Sequence, residues 1–175
     1  MIWIAIAIAL IAAITGWWIQ ARYTRGVRAV DVARYVEEFA GYSAPGGVLE
    51  IRHEHANQSL QFAKRDESQG LGLLEFGFPD MSWSRSYFPE ILKQAEAAGF
   101  SCIVEEGPVG APVRRFLSVI YGANADDIAK RTRDLLAICS HVMEFGPADT
   151  FKVRFRGVVS QDAIDRVRAA RRQRN

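Results

Sequence analysis

From Ile2 to Ile19 the chain runs for eighteen residues without a charge, with little polarity beyond Thr15 and Gly16. At about 1.5 Å per residue a helix over this run is roughly 27 Å long, enough to cross a bilayer. Trp3 at one end and Trp17 with Trp18 at the other match the aromatic belts of two membrane surfaces. No basic residue precedes the run, and bulky residues rather than small ones close it. An uncleaved anchor is therefore expected in place of a secretory leader. Arg22, Arg25 and Arg28 follow within two turns, and cationic flanks stay on the cytoplasmic side. The expected topology is amino terminus outside and main domain cytoplasmic. Ala5, Ala9 and Ala13 recur every fourth residue, with Ala12 and Gly16 beside them. Such a small face lets another membrane helix approach closely.

Past the anchor the pattern changes period. Val32, Tyr35, Val36 and Phe39 share one helical face, with Asp31 as the expected cap and Gly41 as the expected stop. Pro45-Gly46-Gly47 marks a turn. Leu49, Ile51, His53 and His55 then alternate with charged residues, and Leu60 and Phe62 alternate with Gln61 and Ala63. Two period-two runs around Ala56-Asn57 predict a β-hairpin.

The next elements read as the strand LGLLEFGF, the helix SYFPEILKQAEAAG with Ser86 near its cap, and the strand FSCIVEE. The strand RRFLSVIY, a long helix opened by Asn124 with Asp127 three residues on, and the strand FKVRFRG complete the set. The order β-α-β-β-α-β predicts an α+β fold: a ferredoxin-like (split βαβ) antiparallel sheet with an added N-terminal β-hairpin, behind a single transmembrane helix. The expected divisions are an anchor over 1–20, a basic juxtamembrane segment and connector helix over 21–47, the α+β domain over 48–158, and an Arg-rich tail over 159–175.

Charge sharpens this division more than overall composition does. The 175 residues carry a formal net charge of +2. Leaving out 1–28 and 161–175, fourteen Lys/Arg face eighteen Asp/Glu, so a mildly acidic domain lies between basic flanks. Arg166, Arg168, Arg171, Arg172 and Arg174 fall in the last ten residues. Beside an anchor, anionic lipid headgroups suit them better than nucleic acid does, at about 1 kcal/mol for each arginine near the surface. Two cysteines, Cys102 and Cys139, make no disulfide framework.

Catalytic templates do not fit. His53 and His55 share a strand face, but the only other histidine is His141, and two ligands do not complete a metal site. There is no phosphate-binding Gly-Lys-Ser/Thr loop and no Gly-x-Ser-x-Gly elbow. Glu105 and Glu106 are adjacent on a strand and point to opposite faces. No cofactor and no metal are expected. Met81, Trp83, Arg85 and Tyr87, in the connection before the first domain helix, are residue types favoured at interface centres. The expected function is a non-catalytic, single-pass accessory or assembly subunit of a larger membrane complex, with an energy-transducing complex as one setting. Its expected partners are other membrane protein subunits. The alternative is a tethered ligand-binding or regulatory domain acting alone.

Overall fold

The computed structural model describes residues 23–43, 45–66 and 73–156. The expected anchor, with Ala5, Ala9, Ala12, Ala13, Gly16, Trp3, Trp17, Trp18 and Arg22, lies outside them, as does the Arg-rich tail. Among the described residues no helix is long and apolar enough to cross a membrane.

The described chain is an α+β unit with one antiparallel sheet. Strands β1 (Tyr23–Arg28), β2 (Val48–His53), β3 (Ser59–Lys64), β4 (Leu74–Asp80), β5 (Ser101–Glu106), β6 (Arg115–Tyr121) and β7 (Thr150–Arg156) stand in the order β1-β7-β2-β3-β4-β6-β5. Helices α1 (Val32–Tyr42), α2 (Phe88–Ala97) and α3 (Ala125–Met143) connect them. Because every neighbouring pair is antiparallel, β1, β2, β4 and β5 run one way and β3, β6 and β7 the other.

Strand alternation decides which face is buried. Leu49, Phe62, Phe76 and Val119 are cross-strand partners in one row. Val153, Ile51 and Leu60 continue the same face in the next. These side chains join Val36 and Phe39 of α1, Phe88 and Ile91 of α2, and Leu135, Cys139 and Met143 of α3 in a single core. Each fully buried Leu or Phe contributes about 1.5–3 kcal/mol, so this face outweighs weaker local preferences. Helix α3 packs against both α1 and α2. The intervening strand positions put Glu50, Gln61, Glu75 and Ser118 on the opposite face.

Several local expectations need correction. The hairpin does not extend or cap the sheet; β2 and β3 sit inside it, between β7 and β4. Residues 23–28 form an edge strand, where no strand is expected. Its period is broken by a bulge between Thr24 and Val27, with Gly26 at a φ of 68°, which erases the alternation that would reveal it. Asp31 makes no side-chain cap; its carboxylate takes the Arg28 guanidinium at 3.2 Å. Helix α1 passes Gly41 and ends at Tyr42, capped by Ser43, whose hydroxyl donates to the Phe39 carbonyl at 2.6 Å. The N-cap of α2 is Tyr87, next to Ser86, and it makes no side-chain cap bond. Asn124 does cap α3, its side chain accepting from the Asp127 N–H at 2.9 Å.

Candidate functional site

The register separates the chemistry-bearing loops into two ends. At one end lie Tyr23, Arg154, Arg156, Val48, Leu74 and Tyr121. At the other lie Arg28, Thr150, His53, Asp80, Arg115 and Glu106. Strands of six or seven residues hold these ends roughly 20 Å apart. The first end carries the starts of β1 and β2 and the end of β7, so the chain enters the sheet and leaves it on the same side.

The second end holds the residues favoured above for an interface. Asp80 closes β4 with its side chain 4% exposed, and its Oδ2 receives Arg115 Nε at 2.9 Å and Nη2 at 2.8 Å. The Arg115 guanidinium also lies 4.6 Å from the Phe88 ring centroid, so one arginine ties β4, β6 and α2 together through charge and cation–π contact. Arg85 Nε stands 3.7 Å from Asp80 Oδ1 and remains half exposed. Ser84 is fully buried. Its hydroxyl donates to the Pro79 carbonyl and accepts from the Met81 N–H, which folds the connection back on itself.

This fold splits the four expected interface residues into two pairs. Trp83 turns inward, edge-on to Phe78 at 5.7 Å between centroids. The Tyr87 hydroxyl accepts from the Gln58 side-chain amide at 3.3 Å. Those two anchor the connection. Met81 and Arg85, with Ser82, instead form one wall of a groove of about 640 Å³, whose other wall is residues 106–112 with Arg114. Backbone bonds from Gly107 N–H to the Arg114 carbonyl (2.7 Å) and from Arg114 N–H to the Asp80 carbonyl (2.9 Å) fix that loop to β4. Val109 at its tip is fully exposed.

Of the hairpin histidines, His53 serves structure and His55 is exposed. His53 Nδ1 accepts the backbone N–H groups of His55 at 3.1 Å and Ala56 at 3.0 Å. Its ring lies against Phe145 and Phe151, and Nε2 faces Asp149 at 3.6 Å. The nitrogen that closes the turn is thus already engaged. His141 is exposed on α3, while Cys102 is half-buried on β5. Burial pushes the Cys139 thiol up to about 12; burial, then nearby Glu96, raises that of Cys102. Burial also raises the Tyr121 phenol, which is bonded to Thr132 at 3.0 Å. None of the three is primed as a nucleophile. No group of three or more metal-ligating side chains occurs among the described residues.

A feature of β5 escapes the sequence pattern. Ile103 and Val104 are 40% and 39% exposed, one on each face of the last strand in the sheet. The strand is legible in FSCIVEE, but its position at an edge is not. The adjacent Glu105 and Glu106 are the one local hint, since charges guard free edges.

No protein-family model, curated protein or solved structure matches the chain.

Proposed function

We propose that the protein is a single-pass membrane subunit whose α+β domain stands on the cytoplasmic face of the bilayer and binds a partner subunit through its far end. The expected anchor supplies the tether, its small-residue face meets a partner helix, and the tail arginines hold anionic headgroups. The domain reads as a ferredoxin-like unit, β4 to β7, opened by the β2–β3 hairpin and widened by β1. The observation that carries the proposal is the shared end of the sheet. Only residues 20–22 separate the predicted span from Tyr23, and Tyr23 pairs with Arg154 just before the Arg-rich tail begins. Anchor and basic tail thereby act from one side. The Met81–Arg85 groove, with its paired arginines and exposed loop, faces away from them.

The test is native migration of the endogenous protein after extraction in mild detergent, with Arg85→Glu as the variant. Co-migration with a defined larger assembly, lost in Arg85→Glu while the unfolding midpoint holds, is the expected result. Migration at the mass of the lone chain would refute the subunit reading and favour the small-ligand alternative.

A further inference from the structure

We infer that the free edge of β5 accepts an extended strand from the partner protein, one that sets two adjacent apolar residues beside two adjacent Lys or Arg residues. The inference rests on the subunit reading and names how the partner is gripped.

Among the described residues, strand β5 pairs only with β6. Alternate N–H and C=O groups on its outer side therefore have no ladder partner, the arrangement that strand addition exploits. Four large hydrophobic residues are well exposed among the described residues: Val30, Ile103, Val104 and Val109. Two of the four are on β5 and a third is at the tip of the loop it enters. Apolar exposure is thus concentrated on this edge and continues toward the groove.

Charge selects the occupant. Glu105 and Glu106 end the strand, and Glu96 lies close enough to Cys102 to raise its thiol. None of these three carboxylates is in an ion pair among the described residues, and β5 contains no Lys or Arg. A second copy paired edge to edge would add two more glutamates and no Lys or Arg to the seam, leaving the strand carboxylates uncompensated. An incoming strand with apolar residues opposite Ile103 and Val104 and cations opposite Glu105 and Glu106 satisfies both features.

The full-length chain in detergent micelles is titrated with a short synthetic peptide repeating Val-Val-Lys-Lys, and separately with its Val-Val-Glu-Glu counterpart. Amide exchange is followed over residues 101–106. The basic peptide should slow exchange there by about fivefold or more, and the acidic peptide should not. The Glu105→Lys/Glu106→Lys double variant should lose that protection while keeping its unfolding midpoint. Protection by both peptides or by neither would overturn the inference. So would protection that persists in the double variant, or protection that rises with protein concentration in the absence of peptide. If the native assembly forms but the edge ignores the basic peptide, the edge inference alone falls. Lone migration of a chain whose edge does bind the peptide removes the subunit reading instead.

Discussion

Gly122 shows how a single residue sets the corner between β6 and α3. Its φ is +94°, and an added Cβ would lie 2.5 Å from Ile128 Cγ1, a buried side chain. Gly122→Ala combines backbone strain with overpacking and should cost about 2–4 kcal/mol, read as a lower urea midpoint. At Gly46, with φ +83° and nothing within 4 Å of a new Cβ, the same change should cost only about 1 kcal/mol. A second contrast lies in the thiols. Cys139 is fully buried with its thiol pushed up to about 12, whereas Cys102 is only partly buried. A maleimide at neutral pH should therefore label Cys102 in the folded protein and reach Cys139 only as fast as the core opens. Equal labelling rates would show that α3 is not packed as described. At this scale the sequence was a fair guide to inward residues: of Phe88, Ile91, Leu92 and Ala95, which helical spacing turns inward, all are buried but Leu92, which is partly so. For Trp83 residue type alone did not say whether an aromatic in a connection faces Phe78, as it does here, or solvent.

Elements were legible where period and turn signals agreed. The β2–β3 hairpin, α2, α3 and β7 all follow from alternation, helical spacing and Gly or Asn at their ends. Strand β1 was not legible, since its bulge hides the alternation and much of what holds it comes from residues distant in sequence. One such tie is Glu54, whose carboxylate accepts from Thr150 Oγ1 at 2.7 Å and from the Gly26 N–H at 3.3 Å. The Thr150 hydrogen bond, more than any other contact, lowers the Glu54 carboxyl below its usual 4.5. A carboxyl lowered by folding adds stability that is complete above the unfolded value and disappears as pH falls through the folded one. Protection from exchange at residues 23–28, taken relative to the free-chain rate at each pH, should thus fall as pH drops below about 4.5. In Glu54→Gln the exchange should be faster at neutral pH and depend less on acid. An unchanged acid profile in the variant would remove Glu54 from this role.

At the scale of the whole molecule, strand order is what the sequence could not supply. The hairpin lies between β7 and β4 because interior strands gain partners on both sides, a long-range competition that local periodicity does not encode. That same order gives the domain two unlike ends. One receives the chain from the predicted span and returns it to the arginine tail; the other carries the Asp80–Arg115 tie, the groove and the tip at Val109. This orientation fixes how far each end of the sheet stands from the bilayer. In a Cys102→Ser background, Cys139 stays shielded, so single fluorescent labels can be placed at Ser101→Cys, at the near end, or at Val109→Cys, at the far end. Energy transfer to a headgroup-bound acceptor in nanodiscs then ranks their heights. Position 109 should stand roughly 20 Å farther from the membrane than position 101. Equal heights, a reversed order, or a protein that leaves the membrane without detergent would contradict it.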